Sequence, residues 1–438
     1  MTKNLLNTDI LIAGGGIIGL TMARALSTLP NRPSITLLEK DSNIGNHSSA
    51  LNSGVLHSGI YYAPGSYKSK HCVIGNAMLT KYCLENKLPI FQCGKLIVAK
   101  NEQEVPKIHE LHQRAITNRV PISLVDEQEA KKIEPHLGKN VKFPSLWSPS
   151  TSVANPKAIL QHLEQEVKSI SNINFIKEEG YGKLINTSDT STTIETTQKR
   201  QITTPKFINC AGLYADKIAH EFGEGLEYGL LPLKGLYMID KKPFKEYGLN
   251  TLIYPLPPLT SNNFLGVHTT LTTEGKLKLG PTAVPAFWRE HYEGSDNFKL
   301  QEFLEIMTLY MRIGFSSKFF FYAKLLLNEV KKSYKPNFLK EAQKLINIYD
   351  AEGVEAMNRL HSGKSAIRTQ LIDKRTLAFL NDFHVVERGS HVHFMNMASP
   401  GWTSSFSIAE DMKKSVENNV SFESLNKAYH SEKENKKA

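Results

Sequence analysis

The sequence predicts an α/β protein with an α+β insert, in which a Rossmann-like nucleotide-binding domain is interrupted by a mainly antiparallel β-sheet domain. Three observations lead there. Residues 9–39 read as strand, glycine-rich turn, helix and second strand. Residues 230–281 hold four strand patterns with no helix between them. Residues 398–405, near the end of the chain, again pass through small residues into a helix.

Taken in order, residues 9–13 form a short apolar strand, and Gly14-Gly15-Gly16-Ile17-Ile18-Gly19 follows at once. Gly14 allows the tight turn, Gly16 lets the backbone approach a pyrophosphate, and Gly19 lets the helix lie close on the strand. The N–H groups that open the helix, Ile18 among them, favour a diphosphate. A second strand over 34–38 ends at Glu39-Lys40, where the carboxylate accepts hydrogen bonds from an adenosine ribose and repels a 2′-phosphate. A glycine fingerprint alone is weak evidence. The ordered set of strand, glycines, helix, strand and acid lowers the odds of chance to roughly one in ten.

Residues 40–50 are a polar loop. In the block Leu51 to Tyr62, the small residues Ser53, Gly54, Ser58 and Gly59 let the backbone approach something flat, with Asn52 and His57 offering hydrogen bonds beside it. The periodicity gives helices over 64–86 and 102–118, a strand over 93–99, a crossing between domains at 144–156 and a helix from Pro156. Residues 172–176 and 186–204 read as strands of one hairpin or meander. Phe207–Asn209 is a strand that ends in Cys210-Ala211-Gly212, and such a strand end is where a bound dinucleotide lies. Residues 297–349 are helical, and the run Phe319-Phe320-Phe321-Tyr322 continues into Lys331, Lys332 and Lys335. Two readings of that run are open: an aromatic face packed on the sheet, or a basic amphipathic segment lying on an anionic membrane. The expected division is 1–90, 145–220 and 356–425 for the nucleotide domain, 91–144 and 221–355 for the substrate domain, and a charged tail over 426–438.

The 438 residues exceed one ordinary core, so two domains are expected. With 40% hydrophobic and 22% charged residues, the composition excludes a disordered or membrane-embedded chain. The net charge of +10 fits nucleic acid, an anionic membrane, an anionic substrate or a solvated basic surface, and the scattered lysines favour the last. Cys72, Cys83, Cys93 and Cys210 form no CxxC pair or metal-like cluster, as expected of reduced thiols in a cytoplasmic protein without a metal site. Residues 1–8 carry no secretory signal, and no apolar run reaches spanning length, so membrane contact would be peripheral, on the cytoplasmic face of the inner membrane.

The glycine fingerprint, Asn52-Ser53-Gly54-Val55-Leu56-His57-Ser58-Gly59-Ile60-Tyr61-Tyr62, Cys93-Gly94-Lys95-Leu96-Ile97-Val98, Cys210-Ala211-Gly212-Leu213-Tyr214, Phe264-Leu265-Gly266-Val267-His268, Leu279-Gly280-Pro281 and Ser399-Pro400-Gly401 together resemble the L-2-hydroxyglutarate dehydrogenase/oxidase family, within the D-amino-acid oxidase-like flavoproteins. The resemblance covers nearly the whole chain and implies FAD rather than NAD, with Pro400 and Gly401 presenting helix-start amides to the flavin. It implies oxidation of a small dicarboxylate by hydride transfer to flavin, with a base to take the hydroxyl proton. His57 and His268 are the candidates for that base. Arg368 would clamp a carboxylate in a bidentate contact, with Lys234 as the second cation and Tyr254 beside them. Arg368 stands in Ser365-Ala366-Ile367-Arg368-Thr369-Gln370, where the family usually shows Ala-Gly-Val-Arg-Ala-Gln, and Lys234 stands where it more often shows Arg. Electrons would pass to a quinone or to oxygen, and the basic aromatic segment favours the quinone. Rival readings are a related flavoprotein acting on another 2-hydroxy acid, glycerol 3-phosphate or an amino acid, and a flavoprotein of RNA modification. The second requires a positive face with exposed aromatics, and the scattered lysines argue against nucleic acid.

Overall fold

The computed structural model describes residues 5–257, 266–350 and 352–427. They form two compact units. The first takes the chain as far as Ala50, from Pro156 to Leu231 and from Thr369 onward, and the second takes Leu51–Asn155 and Pro232–Arg368.

In the first unit the central sheet has, among the described residues, six strands in the order Ile173–Ile176, Ile35–Leu38, Ile10–Ala13, Lys206–Asn209, His391–Met395, His384–Arg388. All neighbours are parallel except the last pair. Ile10–Ala13 and Ile35–Leu38 are buried at every position, as central parallel strands covered on both faces must be. Helix Ile17–Leu26 lies against helix Gly401–Asn418, whose buried Thr403, Ser404, Ser405 and Ser407 permit close approach, and Thr21 Oγ1 donates to the Ser405 carbonyl at 3.3 Å. A four-stranded sheet of Leu5–Asn7, Gln201–Thr204, Thr192–Thr196 and Tyr181–Thr187 contributes Ile194 and Ile202 to a core with Leu11, Leu38 and Phe207. Ile173–Ile176 does not join this meander as expected. It extends the central sheet beside Ile35–Leu38, a partner that alternation alone does not choose.

The second unit is built on sheets that are antiparallel except where Leu252–Pro255 runs parallel to Lys95–Val98. Its core joins Leu96, Ile97 and Val98 to Ile108 and Leu111 of helix Val105–Thr117, to Leu252 and Ile253, and to Phe338. This unit is larger than the expected substrate domain. The expected crossing at 144–156 is two strands, Ser145–Ser148 and Ser152–Ala154, and the chain leaves the unit only after Asn155. Val55–Leu56 and Ile90–Phe91 flank Ser152–Ala154, which draws residues 51–90 into the same unit. Leu360–Ser362 and Ala366–Arg368 pair with Met238–Pro243 and Leu233–Gly235, which moves the last boundary from 356 to 369. Tyr228–Leu230 pairs instead with Leu371–Asp373 and stays with the first unit.

The expected strand over 264–268 is described only from Gly266, and the strand itself is His268–Leu271. Phe264, Leu265, Pro258 and the charged tail beyond residue 427 lie outside the described residues. Residues 297–349 form three helices, Leu300–Gly314, Phe319–Ser333 and Lys335–Gln343. The aromatic run does not pack on the sheet: Phe315 is 94% and Phe320 82% exposed, while the middle helix turns Tyr322 and Glu329 inward. Glu329 Oε2 accepts from the Ala283 N–H at 2.9 Å, so a buried acid rather than an apolar face anchors that helix. No helix among the described residues is long and apolar enough to cross a membrane.

Candidate active site

Each unit carries one cluster of functional side chains. In the first unit, the turn after Ile10–Ala13 runs over the end of Lys206–Asn209. A Cβ on Gly14 would stand 2.5 Å from the Cys210 carbonyl oxygen, and one on Gly19 would stand 1.8 Å from the Gly14 carbonyl oxygen, so neither position admits another residue unless the turn opens. Gly16 caps helix Ile17–Leu26 in extended conformation, with no side-chain cap. The Ile17 N–H donates to Ser49 Oγ at 3.0 Å. The next two helix-start donors, on Ile18 and Gly19, have no intrahelical acceptor and suit a diphosphate. Glu39 is buried, and its two oxygens accept from the N–H groups of Gly15 and Asp41, both at 2.9 Å. An ionised carboxylate has about four acceptor positions, so two remain for ribose hydroxyls. Lys40 turns away toward Asp41 at 3.1 Å and the Tyr214 ring at 5.7 Å.

At the neighbouring strand end, Asn209 shapes the turn by accepting from the Ala211 N–H at 3.1 Å and donating to the Ala215 carbonyl at 2.8 Å. Gly212 has φ +56° and open space where a Cβ would point, leaving room for a ligand's backbone-side approach. Pro400 and Gly401 open the 18-residue helix Gly401–Asn418. These residues fit a dinucleotide on the cradle, the orphan amides and the acid together. Asn52, Ser53 and Gly54, expected at the cofactor, fold with the second unit, where Asn52 Oδ1 accepts from the Gly54 N–H at 2.8 Å.

The second cluster gathers His57, Tyr61, Lys95, Tyr237, Tyr254, His268 and Arg368. The Asn52–Tyr62 block is pinned from behind: Asn76 Nδ2 donates to the carbonyls of Leu56 and His57, both at 3.1 Å, and Arg114 Nη1 donates to the Tyr61 carbonyl at 2.9 Å. His268 is 5% exposed and stacks on Tyr254 with ring centroids 3.8 Å apart. Its Nδ1 lies 3.0 Å from the Gly266 carbonyl, which can only accept, so Nδ1 carries a proton and the neutral ring keeps its lone pair on Nε2. Burial pushes the His268 pKa down to about 3, with Lys95 and Arg368 adding to the effect and the Gly266 carbonyl opposing it. His57 is likewise pushed down to about 3, by burial first, then by Lys95 and His268. Both imidazoles are therefore neutral near pH 7.

The Arg368 guanidinium has no ion-pair or hydrogen-bond partner among the described residues. Burial lowers its pKa below the ordinary arginine value, and Tyr237 and Glu329 oppose that. Lys234 is not brought to this cluster. In the antiparallel pairing Leu233 stands opposite Arg368, and Lys234 stands opposite Ile367, on the other face. Its Nζ donates to the Tyr292 carbonyl at 3.2 Å. Of the substrate residues expected from the sequence, His57, His268, Tyr254 and Arg368 converge. Lys95 was quoted there only as part of a motif; the signal that marks it is a charged residue opening an otherwise apolar strand.

A dinucleotide cradle and a cationic cluster around neutral imidazoles are the equipment of a cofactor-dependent oxidoreductase. Residues 9–414 match the family described as FAD dependent oxidoreductase, and the chain belongs to that family. FAD is its cofactor. The chain is 32% identical over 415 residues to the mitochondrial L-2-hydroxyglutarate dehydrogenase of Homo sapiens, covering 92% of this chain and 87% of the relative. It is 32% identical over 405 residues to the L-2-hydroxyglutarate dehydrogenase of Indibacter alkaliphilus, covering 91% and 96%. Its fold matches the FAD-bound L-alpha-glycerophosphate oxidase of Mycoplasma pneumoniae with a TM-score of 0.71 at 22% identity, over 94% of this chain and 95% of that one.

Proposed function

We propose that this protein oxidises L-2-hydroxyglutarate to 2-oxoglutarate. The observation that carries the reading is Arg368, a buried guanidinium with no carboxylate within ion-pair distance among the described residues, beside neutral imidazoles, in a chain similar along most of its length to L-2-hydroxyglutarate dehydrogenases. Arg368 receives the carboxylate next to the reacting carbon in a two-pronged contact, which fixes the carbon and its hydroxyl in one orientation. His268 accepts the hydroxyl proton at Nε2, the nitrogen that its contact with Gly266 leaves unprotonated. Bound FAD supplies the two-electron acceptor for the hydrogen that leaves the same carbon. The carboxylates of an incoming substrate offset the positive charge that Arg368 and Lys95 place on the imidazoles, and so raise their basicity when a proton must be taken. His57 is the alternative base. In the first unit, Gly14, Gly16, Ile18, Gly19, Glu39, Ala211 and Gly212 hold the dinucleotide.

Electrons leave to a quinone rather than to oxygen in this reading, from a protein resting peripherally on the cytoplasmic face of a membrane. The exposed Phe315, Phe320 and Leu327, interleaved with Lys324 and Lys331, support it. Oxygen is the alternative acceptor.

The test is anaerobic mixing of the yellow protein with L-2-hydroxyglutarate, following flavin absorbance. The expected result is rapid bleaching, with little from the D enantiomer, L-malate or glycerol 3-phosphate. A flavin that stays oxidised with L-2-hydroxyglutarate but bleaches with glycerol 3-phosphate, an amino acid or another 2-hydroxy acid would transfer the reading to that substrate. Arg368→Lys should lower kcat/KM by about 100-fold or more, since an ammonium cannot reproduce the bidentate contact.

A further inference from the structure

A five-carbon dicarboxylate needs a cation at each end, and Lys234 points to the wrong face of its sheet. Lys95 is 1% exposed, at the start of strand Lys95–Val98. Its Nζ sits 5.0 Å from the ring centroids of both Tyr61 and Tyr254, and among the described residues it has no carboxylate or hydrogen-bond acceptor. The Tyr254 ring beside it is the ring stacked on His268. The Tyr61 hydroxyl is buried in the same place without a hydrogen-bond partner among the described residues. A fully buried ammonium held only by ring faces calls for an anion that the protein does not supply.

We propose that Lys95 binds the carboxylate of the substrate that Arg368 does not, so that the two cations span a dicarboxylate with His268 between them. This rests on the reading of the substrate as L-2-hydroxyglutarate. Lys95, not Lys234, then selects a 2-hydroxy dicarboxylate over a 2-hydroxy monocarboxylate. The tyrosine rings keep water away from the ammonium without neutralising it, and the Tyr61 hydroxyl donates a hydrogen bond to the same carboxylate.

The electrostatics add a second signature. Burial pulls the Lys95 pKa down to about 8, and the nearby Cys72 group opposes it. The groups facing it titrate elsewhere: His57 and His268 near 3, and Cys72, Tyr61 and Tyr254 above their ordinary ranges through burial. A dicarboxylate binds the protonated lysine. Its affinity should therefore fall roughly tenfold per pH unit above about 8. Burial also pulls Lys278, whose Nζ lies 4.4 Å from the Tyr237 ring centroid, down to about 8, so the slope belongs to Lys95 only if Lys95→Met abolishes it.

The experiment uses the full-length, FAD-loaded protein and its Lys95→Met and Lys95→Arg variants, with FAD content and melting temperature as folding controls. Glutarate binding is measured by calorimetry from pH 7 to 10. Flavin bleaching is compared between L-2-hydroxyglutarate and L-2-hydroxypentanoate, which has the same chain length and no second carboxylate. The expected result is a loss of glutarate affinity in Lys95→Met of roughly 30-fold or more, a flat pH profile for that variant and a loss of bleaching by L-2-hydroxyglutarate at least about tenfold larger than any change with L-2-hydroxypentanoate, with Lys95→Arg recovering part of the binding. Equal loss of both substrates, or glutarate affinity indifferent to Lys95→Met, overturns the proposal. A wild-type flavin that L-2-hydroxyglutarate fails to bleach, together with glutarate binding that still depends on Lys95, sinks the substrate reading and leaves the assignment of Lys95 standing. Were Lys95→Met to fold poorly, the Lys95→Arg variant decides: a glutarate pH slope above about 8 that persists in it overturns the proposal, since an arginine stays charged over that range.

Discussion

An ammonium and a guanidinium held in one buried cluster, with no carboxylate in ion-pair contact with either among the described residues, are a cost the folded chain carries until an anion arrives. For Lys95 the linkage is explicit. Its folded pKa, about 8, lies below the ordinary lysine value of 10.5, so the unfolded state binds the extra proton between those two values. Stability of the ligand-free protein should thus rise as pH climbs from 8 toward 10.5, and below 8 the whole penalty, ~3 kcal/mol, applies. Lys95→Met should remove most of it and raise the melting temperature at pH 7, while glutarate should raise that of the wild type and leave the variant's nearly unchanged. A variant that melts below the wild type at pH 7 would mean that the ring contacts outweigh the burial. Gly19 lies at the other extreme. A Cβ 1.8 Å from the Gly14 carbonyl oxygen cannot be accommodated by a side-chain shift, so Gly19→Ala should abolish flavin retention, read from the flavin-to-protein absorbance ratio of the purified protein. The tight glycine turn and the acid beside it were legible in the sequence because that geometry is local. Lys95 was not, since its meaning depends on Tyr254, brought alongside by a parallel pairing across more than 150 residues of sequence.

Among the elements, the helix Phe319–Ser333 departs most from its pattern. Its apolar residues recur at helical spacing, which normally implies packing against a core. Here Tyr322 and the buried Glu329 face inward, and Phe319, Phe320, Phe321, Leu327 and Val330 face water among exposed lysines. Periodicity shows that a face is apolar and says nothing of what covers it. The expected consequence is affinity for vesicles containing phosphatidylglycerol that falls steeply with added salt, and its loss in a Phe315→Ser, Phe320→Ser double variant that still bleaches with substrate. Retained sedimentation with those vesicles would place the contact elsewhere. The βαβ opening and the β-rich insert follow from patterning. The two short strands within 144–156 did not, because a proline- and serine-rich stretch signals a turn, while pairing with Lys95–Val98 and with Val55–Leu56 is a tertiary matter.

On the scale of the molecule, two hydrophobic cores and one cofactor predict unequal responses to flavin removal. If FAD is held by the first unit's cradle, as proposed, stripping it should lower the unfolding temperature of that core, and returning it in excess should restore the value by mass action. Scanning calorimetry with and without FAD would test this; one transition unmoved by FAD would count against the cradle. The division into two units was foreseen, but its boundaries were not, because strand partners, rather than composition, decide which stretches belong together.

The first unit is also assembled from three stretches that are far apart along the chain. Lys206–Asn209, at the middle of its sheet, receives its outer neighbour only when His391–Met395 has been made. At the usual pace of synthesis the ribosome needs roughly 10 to 40 seconds to travel between them. During that interval the nascent sheet presents an unpaired edge with Phe207 and Ile208 at its centre, and the glycine turn lacks the strand pair that backs it. Chaperone cover is needed for that interval, and a chain released by a premature stop before residue 391 leaves an aggregating fragment rather than a weaker flavoprotein.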